Sequence, residues 1–503
     1  MRSFRRAALA FGCASIVAVG IRPSAGGAQS SGAASVSLPS LPEVRPVNGI
    51  TTLTLTAAET AAGRAGMEYN GSRVLPIIRV QPGGQLKITY VNHLAVHSTE
   101  KCALGPCMDM TNLHFHGMEV SPLAPQDDVL TMLAMPGQTL HYDVRVPANH
   151  IPGLFWFHTH PHGESAEQDL DGMSSAIVVE GIDRYVPAVR GLRERVLIVR
   201  TMDARSDSTQ QIEELRARTS TPAHDCGTSG EQVAGFATLN GALRPTIAIA
   251  PGERQFWRLV NTEPESYLDL ALDGARFELV ALDGEPLGYR TPSRPTKTVR
   301  HLLVPPAGRM EAIVTGPPAG AHATLRTICV DTGPAGDIDA GQVLADIVPA
   351  SAKPEPLETV PVSVQPPVHR SEAAALATER RPPQFVVRFT EDKHGFYING
   401  KKFSMTAAPM VTVRVGTYQH WRVVNDTHEI HPFHIHQVHF LTYVENGHAV
   451  ADPVWLDTVN VRQKSAVEVV LDFTDPVIRG VSVFHCHILN HEDKGMMAKV
   501  LFR

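Results

Sequence analysis

The sequence predicts an all-β chain of three Greek-key β-sandwich domains, and three observations predict it. A unit of turn, strand, glycine turn and strand recurs three times. The chain has 503 residues, which at roughly 150 per domain leaves room for three. Four His-x-His pairs sit in apolar, strand-like surroundings, where alternation puts both rings of a pair on one face.

The opening residues read as export machinery rather than fold. Arg2, Arg5 and Arg6 precede an apolar run from Ala7 to Gly20 and then small residues to Ala28. That is a secretory signal pattern, expected over residues 1–28, and the run is too short to span a membrane. Sec and twin-arginine routes both fit. The expected location is periplasmic or secreted. Losing the four arginines of this segment takes the formal net charge from -6 to -10. An acidic mature chain is a poor partner for nucleic acid or anionic membrane. Five cysteines follow the segment, at 102, 107, 226, 329 and 486. Cys102–Cys107 with Cys226–Cys329 is the preferred of three disulfide pairings once Cys486 is set aside, in an oxidising compartment.

The repeated unit opens each domain. Asn70-Gly71, Asn240-Gly241 and Asn399-Gly400 are turns. They precede strand-like Ile77–Val80, Ile247–Ile249 and Val411–Val413. After a glycine come Lys87–Asn92, Phe256–Asn261 and His420–Asn425. Domain one is expected at 45–182, domain two at 190–348 and domain three at 384–503. Residues 349–383 hold eight prolines and read as a linker, with one short helix from Ala373 to Arg380. Residues 203–233 read as a polar insertion with a helix over Gln210–Arg218.

The chemistry lies in the first and last domains. His485-Cys486-His487 follows Val481, Val483 and Phe484 and reads as the end of a strand. Cys486 then points one way and the two histidines the other. A thiolate, imidazoles and a weak thioether make a blue-copper ligand set, which Cys486, His491 and Met496 fit. Met497 is adjacent but on a strand faces away. His114-Phe115-His116, His158-Thr159-His160 and His431-Pro432-Phe433-His434-Ile435-His436 supply the other imidazoles. A lone histidine is usually a core or surface group. Eight at paired spacing indicate metal.

These four motifs, in this order and over nearly all of the mature chain, resemble the multicopper oxidases of the laccase type. The nearest resemblance is to bacterial three-domain enzymes, which carry a Trp-Phe-His-x-His-x-His-Gly segment like Trp156 to Gly163. The resemblance implies cupredoxin-like domains and four coppers. It places Cys486, His431 and His491, with Met496 axial, on the type 1 ion. His114 and His434 fall on type 2, and His116, His158, His160, His436, His485 and His487 on the type 3 pair. It also implies proton-relay carboxylates at Glu492 and at Asp127, or Asp128 in its place. Asp457 receives no role. His162, His428 and His439 read as surface or supporting groups, and Met108, Met110, Met132 and Met135 as packing.

The expected function is an exported oxidase. It takes single electrons from a small phenolic or similar organic donor at the Cys486 copper and reduces O2 to water at the trinuclear cluster. The alternative is an oxidase of cuprous, ferrous or manganous ions, which needs carboxylates or methionines beside the type 1 ion. A copper-free scaffold of the same fold is the other rival, and the intact ligand set speaks against it.

Overall fold

The computed structural model describes residues 36–60, 64–96, 109–203, 235–289, 295–350, 375–379 and 381–503. The export segment, Cys102, Cys107, Cys226, Met108, the 210–218 helix and most of the proline-rich linker lie outside the described residues. Residues 375–378 are helical. Cys329 is disulfide-bonded, and Cys486 is free.

The threefold unit is built as the sequence dictates. In each turn both central residues have positive φ: Asn70 and Gly71 at 52° and 73°, Asn240 and Gly241 at 53° and 79°, Asn399 and Gly400 at 50° and 71°. Two-residue hairpin turns need this conformation, which asparagine tolerates and glycine adopts freely. The following strands are Ile77–Val80 and Gln85–His93, Thr246–Ile249 and Arg254–Asn261, Val411–Val413 and Thr417–Asn425. Each second strand has a buried asparagine at or one residue before its end, Asn92, Asn261 or Asn425. Its side-chain oxygen accepts the N–H two residues on, at 2.9, 3.1 and 2.9 Å. Its amide donates to a carbonyl across the sandwich, of Ala134, Pro305 and Val461, each at 2.9 Å.

Paired sheets make three cupredoxin-like sandwiches. Each encloses its own apolar core, around Tyr90 and Phe115, around Trp257 and Leu270, and around Trp421 and Phe433. In the first, one sheet runs Glu43–Val44, Ile77–Val80, Ser174–Val179, Gly153–His158, His114–His116. In the third, the matching sheet runs Val411–Val413, Met497–Phe502, Gly480–Cys486, His431–Ile435, Thr458–Val461. The histidine-bearing strands are neighbours in both, at the edge and next to it in the first and at the centre and beside it in the third.

The domains are joined by buried surface. Ile77, Leu154 and Trp156 pack against Val196, Ile198 and Val260 of the second domain. Each such side chain contributes about 1.5–3 kcal/mol on burial. Beside them Arg79 pairs with Glu43, Glu180 and Glu194, and Arg258 with Glu194 and Glu311. Two short helices, Ser165–Leu170 and Leu489–Asp493, are absent from the sequence reading. They join the first and third domains. Asp493 accepts the N–H groups of Gly163, Ser165 and Ala166 at 2.9, 3.2 and 2.9 Å, capping the first helix with a carboxylate from the second.

Candidate metal centre

Strand alternation separates two sites, as the sequence requires. In the sheet, Cys486 lies opposite Phe433 and His485 opposite His434. Cys486 falls into the third domain's core with Met496, while Met497 packs elsewhere, against Val129 and Val483. The Cys486 sulfur is 3.4 Å from His431 Nδ1 and 3.9 Å from His491 Nδ1, and the two nitrogens are 3.3 Å apart. The point equidistant from these three atoms is about 2.1 Å from each, a metal–ligand length for nitrogen and close to that for sulfur. Burial pushes the Cys486 thiol well up, so a thiolate here needs a cation in that triangle. His491, at 7% exposure, is the least enclosed of the three; Cys486 and His431 are at 0%.

The outward nitrogens of this site face carboxylates. Glu429 is 3.6 Å from His491 Nε2 and Glu391 is 3.9 Å from His431 Nε2. Burial, then Glu391, Asp337, Glu265 and Asp339, push Glu429 up to about 8. Glu265, Asp337 and Asp339 come from the second domain. Its loop is held there by Ile430 N–H donating to Thr332 O at 2.8 Å and Tyr267 Oη donating to Ile430 O at 3.2 Å.

The second site gathers eight imidazoles from two domains, all buried. Rings stack crosswise over the boundary: His114 on His436 at 3.7 Å and 12°, His116 on His434 at 3.9 Å and 17°. His485 Nε2 is 3.1 Å from His436 Nε2 and 3.5 Å from His160 Nε2. Burial, with neighbouring imidazoles adding to it at most of them, lowers all eight below the ordinary histidine value. They are neutral, with lone pairs available.

The fit to metal is shown by what these rings lack. His114 Nε2, His434 Nε2, His116 Nδ1, His158 Nε2 and both nitrogens of His487 are buried with no hydrogen-bond partner. Unpaired buried polar atoms are costly. Here they converge, and the triads His160–His436–His485, His114–His116–His158 and His431–Cys486–His491 each have the spacing of ligands to one ion.

The opposite nitrogens are tied down. His114 Nδ1 is 3.0 Å from both Asp127 oxygens, which also accept Phe115 N–H at 2.9 Å and Gln437 Nε2 at 2.6 Å. Ser482 donates to the Gln437 oxygen. His434 Nδ1 donates to Asp457 O at 2.8 Å, and His158 Nδ1 to Thr159 O at 2.9 Å. Glu492 lies 3.1 Å from His485 Nδ1 and 3.5 Å from His160 Nδ1. Burial pushes Glu492 and Asp127 well up. Asp128 instead binds the Leu130 and Thr131 N–H groups at 3.0 and 2.9 Å, in its own loop.

Asp457, given no role from sequence, is central. One oxygen is 3.3 Å from His116 Nε2, and Arg309 of the second domain grips both oxygens at 2.9 and 2.5 Å. Burial alone raises a carboxyl, but Arg309 holds Asp457 below the usual range. Gly117 makes the room: a Cβ there would lie 2.4 Å from both Arg309 and Asp457, and its φ is +80°. His439 is buried against Glu119 at 3.2 Å, and His428 is exposed. Glu429, two residues before His431, was within reach of the motif. Arg309, a lone arginine on a middle-domain strand, carried no signal.

Comparison with known proteins agrees with this geometry. Three family models, each described as multicopper oxidase, match residues 52–183, 199–327 and 377–503. The multicopper oxidase mco of Staphylococcus aureus is 24% identical over 444 residues, 86% of this chain and 83% of that protein. The multicopper oxidase MmcO of Mycobacterium tuberculosis is 25% identical over 534 residues, 99% and 96% of the two chains. Among solved structures, a multicopper oxidase from Campylobacter jejuni titled a metallo-oxidase superposes with a TM-score of 0.68 at 22% identity, over 93% of this chain and 95% of that one.

Proposed function

Because the chain belongs to the multicopper oxidase family, and is therefore a copper-dependent oxidoreductase that uses O2, we propose that it is an exported oxidase whose electron donor is a ferrous or manganous ion. Cys486, His431 and His491, with Met496 beside them, would hold the type 1 copper. His114 and His434 would hold type 2, and the other six histidines the type 3 pair. When bound, copper would supply one-electron oxidation of the donor and four-electron reduction of dioxygen to water. Residues 1–28 support the export reading.

The donor assignment is carried by one observation: both outward imidazole nitrogens of the Cys486 site face a carboxylate, at 3.6 and 3.9 Å. Glu265, Asp337 and Asp339 complete an acidic wall that a cation neutralises. Carboxylates suit ferrous and manganous ions better than cuprous. A neutral phenol gains nothing from burying against them. This puts the metal-ion donor ahead of the phenolic one expected from sequence.

The chain's own groups manage tautomers and protons. Asp127 and the Asp457 carbonyl hold Nδ1–H of His114 and His434, which leaves each Nε2 free to ligate. Burial pushes the Glu492 carboxyl well up, which favours a proton on its oxygen beside His485 and His160. A carboxyl placed there can give a proton up and regain it as oxygen is reduced.

Steady-state oxidation of ferrous, manganous and cuprous ions beside a phenol panel tests the donor. Glu391→Gln with Glu429→Gln is expected to raise KM for ferrous or manganous ion roughly tenfold or more and to leave phenol kinetics unchanged. Phenols turned over faster than any ion, with no effect of the double variant, would return the donor to the organic class.

A further inference from the structure

Among the described residues, the methionines that the sequence marks as packing lie in different surroundings. Met132 is buried in the first domain's core, and Met135 is exposed. Met110 instead meets two methionines from the third domain, Met405 and Met497, around a cavity of about 250 Å3. His160, His162 and Phe403 line it with them.

This cavity has two ends. Met405, at 42% exposure, lies toward solvent, and Met497, at 2%, lies within. His160 belongs to the eight-imidazole site, its Nε2 3.5 Å from His485 Nε2. His162, also in the lining, stacks edge-on to Phe403 at 4.4 Å, with a buried Nδ1 that has no hydrogen-bond partner. No carboxylate is among the lining residues. Three thioethers and an unpaired imidazole are soft donors, the set that selects Cu(I). The wall beside Cys486 carries carboxylates, which suit harder cations. The chain thus offers two cation environments of opposite character, each beside a different copper site.

We propose that the Met110–Met405–Met497–His162 cavity is a cuprous-ion entry site that delivers copper to the eight-imidazole centre through His160. This rests on the ligand assignment above. The ion moves from thioether and His162 donors to His160 as Cu(I), so no electron changes hands. An empty apolar path to the centre would share the cavity but not the ligands, and the two differ in metal binding.

Silver(I) is a redox-silent probe for such a site. Copper-replete holoenzyme is dialysed against Ag(I) and its metals counted. Wild type is expected to take up one silver per chain beyond its four coppers. Met110→Leu with Met405→Leu, volume-conserving changes that cores tolerate, is expected to weaken this at least about tenfold. Met135→Leu, exposed but off the cavity, leaves it intact. Reloading of the apoprotein from a Cu(I) donor supplies a second readout. In the double variant the trinuclear coppers return roughly tenfold more slowly, while the blue colour of the Cys486 site returns at the wild-type rate. No silver uptake by wild type, or equal uptake by the double variant, overturns the proposal. A copper count below four before silver is added counts against the ligand assignment, and the silver result is then still read on its own.

Discussion

The two candidate metal sites of this chain are built by different rules. The Cys486 site is local: His431, Cys486, His491 and Met496 all come from the third domain, three of them within eleven residues. The eight-imidazole site is assembled. Half of its rings come from each of two domains, and Asp457, which braces it, is itself gripped by Arg309 of a third. A site made within one domain is fixed by that domain's own sheet, whereas a site made by docking is only as well defined as its interfaces. Losses of the Cys486-site ligands should therefore strike one centre cleanly, and losses at domain boundaries should strike the other.

The sharpest way to break that contrast is Cys486→Ser. It is expected to abolish the blue absorption and all oxidase turnover while copper analysis still finds three ions. Loss of every copper would mean the two sites are not independent. Next is Arg309→Met, far in sequence from any ligand. It leaves Asp457 buried and unpaired, a loss of about 3–5 kcal/mol. The melting temperature is expected to fall, and the type 2 EPR spectrum to change, with the blue colour kept. Adding Asp457→Asn removes the stranded charge and should recover stability but not the spectrum. A purely structural arginine would leave the spectrum unmoved.

Smaller effects separate the sites further. Glu492→Gln and Asp127→Asn should keep copper content and colour and leave anaerobic reduction of the type 1 ion fast. Each should slow the oxygen half-reaction roughly 10–100-fold, read by stopped flow. Met496→Leu should raise the type 1 potential by removing a weak axial donor, and Met497→Leu should not; redox titration decides. The smallest effect is on stability against pH. Burial pushes Glu263 up to about 8 and Asp339 up to about 7 in the folded chain. Folded protein then holds protons that unfolded chain releases, so stability falls as pH rises from about 4.5 to 8. Glu263→Gln should flatten the melting-temperature profile across that window.

The same division explains what the sequence disclosed. The Asn-Gly turns, the alternation at His485-Cys486-His487 and the paired histidines are local facts, and local periodicity writes them into the chain. The choice of Met496 over Met497 rests on motif spacing and strand geometry, and the two side chains pack in separate clusters. Asp457 and Arg309 lie 148 residues apart, and nothing near either marks the partner. The Glu391 and Glu429 wall depends on a second-domain loop folding over the third. The helices Ser165–Leu170 and Leu489–Asp493 span only six and five residues, too few to show periodicity, and each is capped from the other domain or not at all.

The crosswise stacking of His114 on His436 and His116 on His434 carries a further consequence. Each pair runs antiparallel to its mate, so half a turn about an axis between them exchanges the two halves of the centre. Contact of i with j and of j with i is the mark of a self-complementary, isologous interface, here held within one chain. The symmetry extends into the motifs. His158 and His160 flank Thr159 as His485 and His487 flank Cys486. Thr159 is wholly buried, with an unpartnered hydroxyl. The first domain thus repeats the strand of the Cys486 site without its ligands: threonine stands for the cysteine, and Thr111, Glu164 and Asp169 stand at the spacings of His431, His491 and Met496.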